Sequence, residues 1–415
     1  MNSKRTIIVG GGVIGLCSAY YALKRGFAVT VVERGDVGGD NCSLGNAGMI
    51  VPSHFIPLAS PGMVAKGVRL LFDPQGPFFV QPRLDVGLMR WGWRFYRSAT
   101  ERHVAASREL VRDLHFESRR LFGELAADED FGLVQRGLLT LCKTSKGHEE
   151  ENEKATAARE IGVLAEVLDA KATAALEPDL TMDIVGSVYY PQDCHLDPAR
   201  FMVSMRRRVL ALGGVIEHDV NIDTIDATRG EVSAVSGGGR RFEGARFVIA
   251  GGSWSAELLS KIGLRLLLQA GKGYSLTLPS PAELPRLCAI LAEASVAVTP
   301  LDSRLRFAGT MEVAGLDRSI NSARVQGIVK SVSAYLPNFP PSEFANVTPW
   351  AGLRPVSADG VPYLGKVPGL LNLVVATGHA MMGVSLGPVS GRLVADLLAG
   401  DVPFRAIDAM SPGRF

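Results

Sequence analysis

The sequence predicts a mixed α/β fold built around a discontinuous domain. Three observations predict it. A strand, a glycine-rich turn, a helix and a second strand open the chain between Thr6 and Glu33. Gly214–Val220 reads as a strand, and the alternation after it through Ile225, Val232 and Val235, with a turn at Gly237–Gly239, as a β-meander. Buried strands running into glycine turns then return late, at Arg246–Trp254 and within residues 370–391. Strands that come back to complete a sheet begun at residue 6 make a discontinuous domain.

Taken in order, Thr6–Val9 is a short apolar strand, Leu16–Arg25 a helix ended by Gly26, and Ala28–Val32 a strand ending at Glu33. Between the first strand and the helix stands Gly10-Gly-Gly12-Val-Ile-Gly15, a G-x-G-x-x-G turn in the strand–helix context it requires. Gly10 allows the tight turn, Gly12 lets backbone approach a pyrophosphate, and Gly15 lets helix pack closely on strand. The helix amino terminus offers N–H groups to phosphates. Glu33, 18 residues past Gly15, is placed to accept from ribose hydroxyls. The unit is Rossmann-like and binds a dinucleotide, flavin or nicotinamide; the acid disfavours NADP. The next segment, Gly38-Gly-Asp-Asn-Cys-Ser43-Leu-Gly45-Asn46-Ala-Gly48-Met49, is a small-residue loop where a nicotinamide dehydrogenase proceeds to its next helix. Such a loop lays backbone against a longer, extended cofactor.

In the middle of the chain, Leu84, Leu88, Trp91 and Phe95 share one helical face, with Arg90, Arg94 and Arg97 opposite. A helix packed on its own domain with a solvated basic face is the favoured reading. Its alternatives are peripheral contact with a membrane or a docking face for an electron acceptor. Leu110, Leu114, Leu121 and Leu125 mark a second helix, and Glu149–Arg159 an exposed helix or loop. Asp197-Pro198 caps and starts a helix reaching Leu212.

Composition narrows the class. A net charge of +2 gives no electrostatic case for nucleic acid. Five scattered cysteines without a C-x-x-C pair argue against zinc and a disulfide framework, and fit a reducing cytosol. Lys4 and Arg5 before an apolar run imitate a secretory signal, but Gly10, Gly11, Gly12 and Gly15 break it. Residues 370–391 hold no charged side chain, yet Asn372, His379, Pro388 and four glycines make a strand, turn and helix start, not a membrane span. The expected location is the cytoplasm, with the inner face of the cytoplasmic membrane as the peripheral alternative.

The fingerprint ending at Glu33, the Ser43–Gly48 loop, Trp350-Ala-Gly-Leu-Arg-Pro355 with Asp359-Gly-Val-Pro362, and Ala376-Thr-Gly-His-Ala-Met-Met-Gly383 occur together. The chain thereby resembles the FAD-dependent D-amino-acid oxidase/dehydrogenase superfamily, nearest in pattern to bacterial D-amino-acid dehydrogenases, including D-hydroxyproline-type enzymes. The resemblance implies an FAD-binding domain of residues 1–80, 190–255 and 346–415. It implies a substrate domain of residues 81–189 and 256–345, built on a mainly antiparallel sheet with helices. FAD would lie extended, its isoalloxazine between Asn46–Met49 and the Gly378–Ser385 loop. With no cysteine after Cys288, the flavin is expected to be non-covalent. In the amino-terminal half the expected cofactor contacts are Gly10, Gly12, Val13, Ile14, Gly15, Glu33 and Arg34, then Ser43, Asn46, Ala47, Gly48 and Met49. Further on they are Val220, Ala250, Gly251, Trp254, Gly352 and Arg354, then Gly378, His379, Met382, Gly383, Val384 and Ser385.

On the substrate side, Arg354 is followed by a proline that disfavours helix at that position. Its guanidinium matches a carboxylate with two parallel hydrogen bonds, and the resemblance assigns it the substrate α-carboxylate. The structural alternative is a salt bridge to Asp359. Tyr274 is a candidate second partner of that carboxylate, or a half-buried aromatic. His54 and His379 are the remaining catalytic candidates, and Lys272 reads as a solvated lysine. Amino-acid oxidation needs a fixed carboxylate and a Cα–H aimed at the flavin, so no obligatory base is expected. The expected reaction is oxidative deamination of D-amino acids, with electrons passed to a quinone or another non-oxygen acceptor. The alternatives are a glycine, sarcosine or D-proline-type oxidase making hydrogen peroxide, a 2-hydroxy-acid dehydrogenase, and a non-catalytic electron-relay subunit.

Overall fold

A computed structural model describes residues 4–36, 41–70 and 73–415, apart from the side chains of Lys66 and Leu70. Gly38, Gly39 and Asp40 of the small-residue loop lie outside the described residues, as do residues 1–3 and 71–72 of the expected FAD-binding domain. Among the described residues the chain forms a six-stranded sheet, a nine-stranded sheet, a three-stranded meander and a two-stranded ribbon.

The six-stranded sheet is ordered Tyr363–Lys366, Leu373–Thr377, Arg246–Ile249, Arg5–Val9, Ala28–Val32 and Val215–Glu217. All neighbours are parallel except the first pair. Parallel strands covered on both faces must be apolar throughout, and Ile7, Ile8, Val31, Phe247, Val248, Ile249 and Val375 are fully buried. The helix Val13–Lys24 connects the first two parallel strands and is buried along most of its length. The strand expected from Gly214 to Val220 stops at Glu217, because Asp219 takes a left-handed turn at φ 59°. The meander forms as read, over Thr224–Thr228, Glu231–Gly237 and Arg240–Glu243.

The nine-stranded sheet runs Trp350–Ser357, Leu268–Leu278, Arg304–Val313, Val296–Leu301, Cys288–Leu291, Leu138–Cys142, Gly186–Tyr190 and Glu166–Asp169, with Phe78–Val80 beside Arg304–Val313. It is mainly antiparallel; two pairings are parallel. Its strands do not respect the expected boundaries everywhere. Phe78–Val80 and Trp350–Ser357, both placed by sequence on the nucleotide side, belong to this sheet, because hydrogen-bond pairing and not chain proximity selects their neighbours.

Asp197 caps the helix Pro198–Ala211, accepting from the Ala199 and Arg200 N–H groups. The helix Glu101–Asp128 buries Leu110, Leu114, Leu121 and Leu125, as their spacing predicts. Residues 370–391 hold the strand Leu373–Thr377, a glycine turn and the start of the helix Gly387–Ala399. No helix of the described residues is long and apolar enough to cross a membrane.

Candidate FAD and substrate site

A cavity opens where the two sheets meet, at the carboxyl ends of the parallel strands, the usual ligand position in such folds. It holds about 660 Å³, within the roughly 300–1,000 Å³ common for small-molecule sites. Val9, Val32, Ala250 and Thr377 line it from the six-stranded sheet, and Gly352, Leu353 and Pro355 from the nine-stranded one. The segment Gly252–Trp254 ties the sheets together. Ser253 donates its hydroxyl to Leu353 O at 3.2 Å, while Thr377 donates to Gly252 O at 2.9 Å.

Much of the glycine fingerprint lines this cavity. Gly10 turns at φ 109°, and a Cβ there would stand 2.5 Å from Ala250 O. Gly12 faces open space, its nearest neighbour to an added Cβ being Ser43 Oγ at 3.7 Å. Gly12 brings no side chain to cap the helix it starts, and the helix's positive end is turned to the cavity. Val13 N donates to Ser43 Oγ at 3.1 Å, which draws the second loop onto the first. Glu33 accepts from the Gly11 and Gly35 N–H groups. Arg34 stacks over Trp254 at 3.4 Å from the ring centroid, and burial lowers its pKa. Ile14, Asn46, Val220, Gly251, His379, Gly383 and Val384 complete the expected residues found on the wall.

The other expected contacts lie off this wall. Gly15 packs the helix onto the first turn, with room for no Cβ. Ala47 and Gly48 lead into the ribbon in which Met49 pairs with His195. Gly378 backs onto Tyr363, and Met382 packs into the core. Ser385 is buried, accepting from Val51 N and sharing a hydrogen bond with His115 Nδ1 at 2.9 Å. Asn46, which does line the cavity, bridges the two loops, donating to Met381 O at 3.4 Å and accepting from Gly48 N.

Arg354 lies just behind the wall, in electrostatic reach of the cavity residue Cys42. Its strand pairs with Leu268–Leu278 so that Gly271 stands opposite it, and its guanidinium lies over Gly273, where a Cβ would be 2.1 Å away. Nη1 donates to Thr310 O at 2.5 Å. Thr310 holds φ 66°, a strained setting for a β-branched residue, at the irregularity where the neighbouring strands lose register. Ala380, on the cavity wall, holds φ 47°. Strain beside a cleft is a mark of function. No carboxylate of the described residues lies within ion-pair distance of Arg354. The salt bridge considered for it is absent: Asp359 pairs with Arg414 at 2.8 Å. Burial lowers the guanidinium's pKa, as desolvation disfavours a charge without a counter-ion.

Tyr274 is a correction. Side chains alternate across a strand, so with Gly271 and Gly273 beneath Arg354, Tyr274 points to the other face. It is fully buried there, donating to Glu312 Oε2 at 2.6 Å and accepting from Asn321 N. Lys272 is likewise not solvated: buried on that face, it donates to Asp317 Oδ2 at 2.8 Å and to Ser319 O at 2.9 Å.

The two histidine candidates separate. His379 lines the cavity and shares a 2.9 Å hydrogen bond with Ser390 through Nε2, while its buried Nδ1 finds no partner among the described residues. Burial pulls its pKa down to about 3, so the ring is neutral. His54 stands off the wall in a relay, its Nδ1 3.0 Å from Ser53 Oγ, which donates to Asp193 at 2.5 Å. Its pKa falls to about 4 by burial.

Burial raises Asp193 to about 7, against the hydrogen bonds from Ser53. The folded state therefore holds this proton above the pH at which the unfolded chain releases it. Stability from Asp193 is present below about pH 4 and is lost as pH rises through about 7. Asp193→Asn should gain on the wild type between pH 5 and pH 8. Urea midpoints at the two pH values check this, and an unchanged difference would count against a protonated Asp193.

Sequence reasoning missed Arg306. It is buried, with Nη1 donating to Leu44 O at 3.0 Å and Asn46 O at 2.7 Å, and Nε to Thr277 Oγ1 at 3.1 Å. It thus holds the cofactor loop from behind. A cation inside an apolar strand was the available signal. Arg206, His218 and Arg318 also reach the cavity, from segments carrying no motif.

A glycine cradle at a helix amino terminus, an acid at the second strand and an orphaned imidazole nitrogen in the cleft suit an extended dinucleotide. The fold and site thus define a dinucleotide-dependent protein. The comparisons sharpen this. The family model described as FAD dependent oxidoreductase matches residues 5–397, and the chain belongs to that family. Its cofactor is FAD. The D-amino acid dehydrogenase of Vibrio atlanticus (strain LGP32) is 29% identical over 416 residues, covering 99% of both chains. Glycine oxidase from Geobacillus kaustophilus superposes with a TM-score of 0.80 at 24% identity, covering 99% of each chain. L-amino acid deaminase from Proteus myxofaciens superposes with a TM-score of 0.75 at 15% identity, over 99% of this chain and 93% of that one.

Proposed function

We propose that the protein is a D-amino-acid dehydrogenase that binds FAD non-covalently and passes electrons to a quinone or another non-oxygen carrier. The observation that carries the substrate class is Arg354, a half-buried, desolvated guanidinium beside the cavity with no carboxylate of the described residues in ion-pair distance. A planar fork in a dry site selects an α-carboxylate with two parallel bonds. Thr310 O and the open face of Gly273 fix its direction, so proximity and orientation supply most of the rate. Bound FAD supplies the electron sink. His379 and His54, both neutral, place no charge near the substrate amine, which reacts as the free base. Water then hydrolyses the imino product, or a cyclic imine is released from a proline-type substrate. In this reading the six-stranded sheet carries the cofactor and the nine-stranded sheet the substrate wall.

The D-configuration and the acceptor rest on the likeness to the Vibrio enzyme. The likeness in shape to glycine oxidase supports a second reading, an oxidase of small amines. Reoxidation of the reduced protein separates them. A dehydrogenase is reoxidised by a soluble quinone much faster than by air-saturated buffer; the reverse order would favour the oxidase.

A further inference from the structure

The helix Val86–Ser98 departs from its expected form. Leu84, expected on its buried face, precedes the Asp85 cap and is fully exposed. Leu88, Trp91 and Phe95 pack against the protein as expected, Trp91 donating from Nε1 to Val356 O at 3.0 Å. The outward side is not a simple charged face. Val86 (57% exposed), Met89 (59%), Trp93 (64%) and Tyr96 (58%) form an apolar stripe at spacings of three, four and three residues. Arg90, Arg94 and Arg97 run alongside it, and no acidic residue occurs within Val86–Ser98. The neighbouring acid, Asp85, is held by Leu88 N and Arg83.

We propose that this face is an interfacial docking element for an anionic lipid bilayer. Trp and Tyr suit the headgroup boundary, where one part of the ring is apolar and the other wet. Arginine stems lie along apolar surface while their heads reach phosphate. A second copy fits poorly. In a two-fold contact each patch meets itself, which would bring two sets of three arginines together. Four side chains also fall short of the ~800 Å² per partner of a standard interface. The helix lies on the surface and spans nothing, which agrees with its length of 13 residues. The inference does not depend on the substrate or the acceptor.

The experiment is sedimentation of the FAD-loaded full chain with phosphatidylcholine vesicles, with and without phosphatidylglycerol. Binding is expected only to the anionic vesicles and should weaken in high salt. Replacing Arg90, Arg94 and Arg97 together by glutamine should weaken it roughly 100-fold, at about fivefold per arginine. Met89→Ala/Trp93→Ala/Tyr96→Ala should abolish it, while both variants, altered only at exposed positions, keep their bound flavin. Absence of binding to anionic vesicles, or binding that neither variant changes, would overturn the proposal. A concentration-dependent dimer that the alanine variant dissolves, without vesicle binding, would assign the stripe to a second copy instead.

Discussion

Arg354→Ala should lower kcat/KM for the amino-acid substrate by about 30-fold to several thousand-fold while the protein stays folded and yellow. The range follows from the roughly 2–5 kcal/mol lost when one member of a buried, hydrogen-bonded charge pair is truncated, at about 1.4 kcal/mol per tenfold in rate. Folding should survive, because the change removes a half-buried charge that no carboxylate of the described residues offsets and that hydrogen-bonds to Thr310 O. Arg354→Lys should recover only part of the loss, since an ammonium keeps the charge and forfeits the two-pronged geometry. Steady-state kinetics with a quinone acceptor, alongside the flavin absorbance of each variant, makes the check. Near-wild-type turnover in Arg354→Ala would remove the substrate role from this residue.

The second large effect separates folding from cofactor binding within one motif. In Gly15→Ala the new Cβ would stand 1.8 Å from Gly10 O, a distance no rotamer change relieves. The helix Val13–Lys24 must then leave the sheet, and with it much of the largest apolar cluster. Loss of soluble folded protein is expected. Gly12→Ala differs, because its Cβ meets nothing in the protein nearer than 3.7 Å and its φ of −70° suits alanine. That chain should fold but bind FAD about 10- to 100-fold more weakly, the cost of spoiling one or two charge-assisted hydrogen bonds to phosphate. Circular dichroism and flavin titration of the two variants read the difference. Equal behaviour would mean that Gly12 does not face the phosphates.

What the sequence disclosed follows from how local each feature is. The first strand, helix and second strand were legible because the glycine spacing and the acid at Glu33 lie within one short segment. The late strand at Leu373–Thr377 was legible because its apolar run is short and ends in glycine. The nine-stranded sheet was not, since its partners are far apart: Trp350–Ser357 pairs with Leu268–Leu278, and Cys288–Leu291 with Leu138–Cys142. The misreading of Tyr274 has the same origin. Which face a strand residue takes depends on its partner's register, and one position's shift reverses it. Lys272 was misjudged because its partner Asp317 sits in a later loop. The Arg306 contacts join three distant segments and the Asp193–Ser53–His54 relay two, and no spacing along the chain announces them. The helix Val86–Ser98 was half legible: periodicity located its buried face, but not the second apolar stripe flanking the arginines.

On this proposal Arg354 and the bound flavin together oxidise a D-amino acid. Anaerobic mixing of the flavin-loaded protein with D- and L-forms of a panel including proline and phenylalanine tests it most directly. Bleaching of the oxidised-flavin absorbance by a D-amino acid, with the L-form inert, is the result this account predicts. A flavin that no amino acid of either hand reduces would contradict it.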